Sequence, residues 1–151
     1  MTNQGFSNEL GRALARPDAD QLKAVLAVYH DWSARGGTDK DWEDELDLWF
    51  GADQDPDVGL ALVLLAAATY DEPEFLALVA AGLLENLLQR SNRPSEEFLG
   101  RVLDEARRTE RFRWMLSGVN RTGMISDQAV AIKRAVGRLT MDQSLPPKPF
   151  A

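Results

Sequence analysis

The chain of 151 residues contains no cysteine and only one histidine, His30. The absence of cysteine excludes a disulfide framework, a thiolate zinc site, an iron–sulfur cluster and a cysteine nucleophile. A single imidazole is too few for a multi-histidine metal site or a paired-histidine mechanism. The remaining composition, 44% hydrophobic and 27% charged, is that of one globular domain. These counts exclude several kinds of site and mechanism but do not indicate a reaction.

Targeting and membrane segments are also missing. The first six residues lack the positive start and apolar stretch of a signal peptide. The longest apolar run covers residues 58–69 and is interrupted only by Gly59. Twelve residues are too few to span a bilayer, so this run predicts a buried helix. We therefore expect a cytoplasmic protein that does not contact membranes.

Helical spacing of apolar residues fills the chain, and no segment alternates apolar and polar residues as a half-buried strand does. The pattern predicts an all-α fold of about seven short helices in antiparallel hairpins, arranged as a compact bundle or a short solenoid-like stack. Helices over residues 58–68 and 75–88 are expected at its centre. We expect a flexible N-terminus over 1–7, one helical domain over 8–140 and a proline-rich extended tail over 141–151.

Helix boundaries are marked by capping residues. Asp55 followed by Pro56 predicts one helix start, since proline at the first position loses no hydrogen bond. Capping side chains are predicted at three further starts. These are Asp18 with Gln21, Asp71 with Glu74, and Thr109. Gly36 and Gly37 predict the end of the helix that Asp18 begins.

The formal net charge of −7 is distributed unevenly along the chain. Residues 1–86 hold 5 basic and 17 acidic side chains, whereas residues 87–151 hold 12 basic and 7 acidic. Between Asp39 and Asp57, nine carboxylates accompany one cation, Lys40. We call residues 39–57 the acidic segment. It would repel nucleic acid and accelerate association with a basic partner, or serve only as a solvated face.

A protein-binding role follows from the first of these interpretations. The hypothesis is a non-enzymatic module, in its sharpest form a bacterial immunity or antitoxin-like protein whose acidic surface covers the basic active site of a toxin. The expected contact residues are Asp41, Trp42, Asp44, Glu45, Asp47 and Trp49. Two alternatives stay open: a scaffold that self-associates through apolar helix faces, and a helical enzyme with a carboxylate-bound metal at Glu85 and Asp53–Asp57.

Catalytic and metal motifs are incomplete, and no cofactor is predicted. Asp53, Asp55 and Asp57 match the first acids of a calcium loop, but Val58 replaces the required glycine and Leu64 the clamping glutamate. A looser magnesium site among the three acids remains open. Asp31 is the neighbour of His30 in sequence and so does not face it on a helix. We expect a surface or boundary histidine.

A basic stretch, residues 107–114, interleaves arginines with Phe112 and Trp114. Such a pattern is found where guanidinium groups bind phosphate and aromatic rings stack on bases. Asp104, Glu105 and Glu110 lie among these arginines, however, and the chain as a whole is acidic. An internal salt-bridge network or docking against the acidic segment therefore explains the stretch at least as well, and nucleic acid is not the expected partner.

Residues 78–119 resemble an uncharacterised bacterial family of small helical domains. The similarity rests on Ala80-Ala81-Gly82 with Glu85, on Glu105-Ala106-Arg107-Arg108, and on the run from Arg111 to Val119. The sequence departs from the family pattern at Leu83 and Asn120. The resemblance implies a helical fold and no particular activity. It groups five residues into one structural constellation, namely Gly82, Glu85, Arg111, Arg113 and Gly118. Within that group we hypothesise an ion pair from Glu85 to Arg111 or Arg113; solvent exposure of all three charges is the alternative.

Overall fold

The structure, a computed structural model, describes residues 8–36, 55–89, 95–121, 124 and 126–148. Helices but no strands occur in these ranges, which confirms the predicted all-α fold. The helices are α1 (Asn8–Leu14), α2 (Ala19–Ala34), α3 (Pro56–Thr69), α4 (residues 73–89), α5 (Glu96–Arg108), α6 (Glu110–Ser117) and α7 (Ser126–Val136). None of these described helices has the length and apolar content needed to cross a bilayer.

Helix α3 lies at the centre, as its apolar sequence predicts. Every residue from 59 to 68 is buried. A helix that is apolar on all sides must be surrounded by other elements, and α1, α2, α4 and α6 all pack against it. Each buried leucine of α3 contributes about 1.5–3 kcal/mol relative to an exposed position. Burial of α3 is therefore a main source of stability for the domain.

Helix α4 contains a π-helical turn in its middle. It runs without interruption from an α-helical part (Pro73–Val79) through the π-helical turn (Ala80–Leu84) into a second α-helical part (Glu85–Gln89). A π-helical turn inserts an extra residue and shifts the helix face that follows it. Val79, Ala80, Leu83 and Leu84 are all buried, so the shift lets both halves of α4 face the core.

Among the helix starts whose preceding residue is described, those of α3 and α5 carry a side-chain cap. Asp55 Oδ1 accepts a hydrogen bond of 2.9 Å from the Asp57 backbone N–H, with Pro56 in the first position, so this predicted start of α3 is confirmed. The sequence analysis did not assign the cap of α5. There Ser95 Oγ accepts a bond of 3.1 Å from the Phe98 N–H. Both caps satisfy donors that the first helical turn leaves without partners.

The predicted caps at Asp18 and Thr109 are wrong. Asp18 precedes α2, yet its carboxylate accepts no N–H from the helix and instead binds Arg16 Nε at 2.8 Å and Nη2 at 3.1 Å. Thr109 precedes α6 without capping it, because its hydroxyl donates to the buried carboxylate of Glu105. A charged or buried partner within reach offers a stronger bond than a helix-end N–H does.

Helix α2 ends where Gly36 and Gly37 predict its end. Helix α2 ends at Ala34, and Gly36 follows with φ of +91°, a backbone conformation that residues with a Cβ atom rarely adopt. Gly37, the second residue of that pair, lies outside the described residues. Helix α2, the described helix that precedes the acidic segment in sequence, therefore has a defined end.

Residues 139–148 follow α7 without forming a helix and pack against α6. Trp114 Nε1 donates to the Gln143 carbonyl at 3.1 Å, and Pro146 is buried. The predicted absence of helix over residues 145–148 agrees with the structure. Trp114 is itself almost fully buried, so its bond to Gln143 fixes this C-terminal stretch to the core.

The close packing of α3 against α4 predicts opposite effects for two mid-helix glycines. A Cβ atom at Gly59 would lie 2.6 Å from Leu87 Cδ2, inside the core, whereas a Cβ at Gly100 of α5 would meet no atom within 4 Å. Gly59→Ala should lower the free energy of unfolding by about 1–3 kcal/mol through overpacking. Gly100→Ala should raise it by about 0.5–1 kcal/mol through helix propensity. Urea unfolding of both variants checks this, and stabilisation by both would contradict the described packing.

Candidate functional site

Most of the predicted binding residues lie outside the described part of the chain. These are Asp41, Trp42, Asp44, Glu45, Asp47 and Trp49, together with Asp53 of the incomplete calcium motif. The described part of the acidic segment consists of Asp55, Pro56 and Asp57, at the start of α3. Asp55 and Asp57 are exposed to solvent. They show how the acidic segment joins the helical core.

The C-terminal end of the acidic segment is fixed by Arg101 of α5. Arg101 Nη1 donates to Asp57 Oδ1 at 2.5 Å, and Nε and Nη2 donate to the two carboxylate oxygens of Glu9 at 3.1 and 2.9 Å. The bonds to Glu9 raise the pKa of Arg101 above its ordinary value against the opposing effect of burial, and the bond to Asp57 adds to the increase. One guanidinium thus joins α1, α3 and α5.

The helix that precedes the acidic segment in sequence, α2, is held through His30. His30 Nε2 lies 2.6 Å from Glu72 Oε2, in the connection between α3 and α4. The imidazole stacks on Tyr70 with ring centroids 4.8 Å apart and meets the edge of Phe75 at 4.9 Å. This arrangement holds the last turn of α2 against the α3–α4 connection. His30 is a boundary residue as expected, with 29% of its side chain exposed.

Local spacing could not predict the partner of His30. Asp31 does not orient the imidazole; it pairs with Arg35 at 3.1 Å instead. The true partner, Glu72, lies 42 residues further along the chain. Tyr29 continues the same cluster on the buried side, 5.5 Å from Phe75, and its burial raises the pKa of its phenol to about 12. The signal in the sequence was the presence of aromatic residues near both partners, with Tyr29 beside His30 and Tyr70 and Phe75 near Glu72.

The acids of the incomplete calcium motif have structural roles where they are described. Asp55 caps α3 and Asp57 binds Arg101, so neither carboxylate is directed toward a shared centre. Glu85, the other acid considered for a metal, accepts a bond of 2.9 Å from the Asn120 backbone N–H. No group of three or more potential metal ligands occurs within the described ranges.

Arg111, which the family resemblance singled out, is buried and binds three backbone carbonyls. Its Nε donates to Pro146 at 2.8 Å, and its Nη1 donates to Ala67 at 3.0 Å and to Tyr70 at 2.7 Å. Ala67 and Tyr70 belong to the C-terminal end of α3, where helical carbonyls lack partners. Pro146 belongs to the stretch that follows α7. Arg111 therefore closes the end of the central helix and fastens the C-terminal stretch to it.

The carboxylate partner of Arg111 is Asp71, which corrects two predictions. Arg111 Nη2 donates to Asp71 Oδ1 at 2.7 Å, and this bond lowers the pKa of Asp71 below its ordinary value. Asp71 is consequently not the cap of α4; Glu72 occupies that position without a side-chain cap bond. The hypothesised pairing of Glu85 with Arg111 is wrong, because Glu85 instead accepts from Asn120.

The other members of the predicted constellation lie apart from this centre. Arg113 is half-buried and forms no ion pair with Glu85 or any other described residue. Gly82 lies in the π-helical turn, where an added Cβ would approach the Tyr29 hydroxyl to 3.3 Å. At Gly118 an added Cβ would collide with the Met141 side chain. Both glycines thus permit close approach of a neighbouring side chain.

The basic stretch over residues 107–114 does not present its aromatic rings to solvent. Phe112 is fully buried and Trp114 is 2% exposed, so neither ring can stack on a base. Arg107 and Arg108 are exposed, and Arg108 pairs with Asp104 at 3.3 Å. The arginines of this stretch therefore do not form one exposed surface: Arg107 and Arg108 are exposed at the end of α5, whereas Arg111 is buried in α6.

Comparison with known proteins gives one match. The model of a family described as a family of unknown function (DUF6869) matches residues 30–138. This range includes residues 78–119, on which the resemblance to an uncharacterised helical family rests, and the expectation of such a family is confirmed. No curated protein and no solved structure matches the chain.

Removal of the Arg111 side chain should destabilise the whole domain. Arg111→Met leaves the buried carbonyls of Ala67 and Pro146 without donors, at about 1–3 kcal/mol each, so the free energy of unfolding should fall by at least about 2 kcal/mol. Arg113→Met, on the same helix, should change it by less than about 1 kcal/mol. Urea denaturation measures both. Equal losses in the two variants would show that Arg111 has no special structural role.

Proposed function

Because the chain belongs to a family of unknown function (DUF6869), we propose its function from its own residues: it is a non-enzymatic protein-binding module whose acidic segment binds a basic protein. The observation that carries the proposal is the location of its charge. The acidic segment holds nine carboxylates and one lysine, whereas the rest of the chain holds fifteen acidic and sixteen basic side chains. The net negative charge of the protein therefore comes entirely from these nineteen residues.

The anchored C-terminal end of the acidic segment supports this proposal. Glu72 binds His30 in the last turns of α2, and Arg101 binds Asp57 in the first turn of α3. Both contacts connect to helices that pack on the same core. Fixing the ends of a binding segment reduces the conformational entropy lost when a partner is bound. Arg101 thus holds the C-terminal end of the acidic segment on the helical core.

The proposed mechanism combines attraction at a distance with aromatic contact. A dense group of carboxylates accelerates the encounter with a basic surface and disfavours acidic partners. Trp42 and Trp49 would then anchor the complex, since tryptophan is enriched among the residues that dominate binding energy. In its sharpest form the partner is a toxin whose basic active site the acidic segment covers, as in immunity or antitoxin-like proteins. The proposal places this encounter in the cytoplasm.

Neutralising the acidic segment should abolish partner capture. Asp41→Asn, Asp44→Asn and Asp47→Asn, combined in one bait, should lose a basic protein that the wild-type bait retains at low salt and releases at high salt. The matched control combines Asp20→Asn, Glu110→Gln and Asp142→Asn, which change net charge equally at exposed positions elsewhere. Affinity capture from the source lysate, with identification by mass spectrometry, compares the three baits. Identical capture by all three would contradict the proposal.

The tryptophans should affect dissociation rather than association. Trp42→Ala or Trp49→Ala should weaken binding of the captured partner by about 2 kcal/mol, mostly through a faster dissociation rate. The Asn variants at Asp41, Asp44 and Asp47 should mainly slow association, with a weaker dependence on salt. Surface plasmon resonance at several salt concentrations separates the two effects. Unchanged dissociation rates for both alanine variants would remove the anchoring role.

A further inference from the structure

Helix α6 binds the C-terminal stretch, residues 139–148, through two side-chain donors. Arg111 Nε donates to the Pro146 carbonyl at 2.8 Å, and Trp114 Nε1 donates to the Gln143 carbonyl at 3.1 Å. Both donors lie under the stretch, since Arg111 is 3% exposed and Trp114 is 2% exposed. The stretch is therefore recognised through its backbone, at two points along the helix.

A third contact extends this recognition to the end of α6. Gly118 directly follows the helix, and Met141 lies against it, because an added Cβ atom at Gly118 would collide with Met141 Sδ. Arg111, Trp114 and Gly118 are three and four residues apart, so they share one side of the helix. We call these three residues the α6 face. Their partners follow in reverse order along the chain, so the C-terminal stretch runs antiparallel to α6.

Contacts of this kind are those by which proteins recognise extended peptides. Two donors bind backbone carbonyls, which every peptide carries, and one side chain fills the space that a glycine leaves open. In such complexes main-chain hydrogen bonds provide affinity, and the contacts of individual side chains provide selectivity. Pro146 adds a fixed φ angle that favours an extended backbone. The C-terminal stretch thus occupies the α6 face as a peptide ligand would.

The C-terminal stretch has few contacts that hold it to the core. Six of its ten residues are exposed, three are half-buried, and Pro146 alone is buried. Its departure would cost Arg111 the bond to Pro146 but not the bonds that close the end of α3. Gly137, with φ of +65°, separates α7 from the stretch. Segments with few buried side chains open locally while the rest of a protein stays folded.

We propose that the α6 face is a binding site for an extended segment of a partner protein, and that the C-terminal stretch occupies this site in the free protein. The segment carries a methionine or a similar apolar residue and a proline five residues later, as Met141 and Pro146 do. The tethered stretch competes at a high effective concentration, so a partner binds when the stretch is released. This site and the acidic segment use different residues, and either proposal can fail alone.

A full-length variant with a released C-terminal stretch tests the site. Met141→Asp combined with Leu145→Asp removes two apolar contacts of the stretch and changes no residue of α6. A fluorescein-labelled peptide with the native sequence of residues 138–148 should bind this variant at least about tenfold more tightly than wild type, in which the site is filled. Thr140→Asp combined with Ser144→Asp is the matched control, because it adds the same charge at exposed positions of the stretch. Fluorescence anisotropy measures binding.

The control variant should bind the peptide as weakly as wild type does. A second peptide that carries Met141→Asp should bind the released variant at least about tenfold more weakly than the native peptide, since its aspartate cannot replace the apolar side chain beside Gly118. Circular dichroism and urea unfolding establish that both variants are folded. A folded released variant that fails to bind the native peptide, or that binds it no better than the control does, would overturn the proposal.

NMR of the ¹⁵N-labelled wild-type protein provides a test that does not depend on any variant. Amides of residues 139–148 should exchange with solvent at least about tenfold faster than those of α3, because they open locally. Unlabelled native peptide at about millimolar concentration should displace the stretch and shift the signals of α6 and of residues 139–148, whereas the Met141→Asp peptide should not. Exchange of the stretch only together with α3, or identical shifts with both peptides, would contradict the proposal.

Discussion

The fold depends on hydrogen-bond partners for the backbone groups at the two ends of α3, a helix that is apolar on every side. The bonds at its C-terminal end are buried or partly buried, so its last carbonyls have limited access to water, whereas its start is exposed. At its start the Asp55 side chain provides an acceptor. At its end Arg111 donates to the carbonyls of Ala67 and Tyr70. Both bonds come from Nη1, which leaves Nε for Pro146 and Nη2 for Asp71, more donors than any neutral side chain carries.

The residues at these two ends of α3 also hold the neighbouring helices and connections in place. Asp71, held by Arg111, belongs to the three-residue connection between α3 and α4. Glu72, the next residue, binds His30 and so holds the end of α2. At the opposite end of α3, Asp57 binds Arg101, which also holds α1 through Glu9. The C-terminal end of the acidic segment is thus held at the start of the buried helix α3.

The sequence predicted the elements whose signals are local. The apolar run over residues 58–69 identified the buried helix, and Asp55 with Pro56 identified its start. It did not predict Arg111 as the cap of α3, because the contacting residues lie 35 to 44 positions away. The predicted caps Asp18 and Asp71 failed for a related reason, since each carboxylate has an arginine partner that binds more strongly than a helix-end N–H. The His30–Glu72 contact likewise joins distant residues. Residues such as Asp41 and Trp49 were chosen from charge and composition alone, and they lie outside the described residues.

The central claim is that the acidic segment is the surface that binds a basic protein. Hydrogen–deuterium exchange of the full-length protein, measured with and without the captured partner, tests it most directly. The account predicts new protection in peptides that cover residues 39–57 and no change in α7, where exposed Lys133 and Arg134 would repel a basic partner. Protection of α7 or of α5, with exchange over residues 39–57 unchanged, would contradict it.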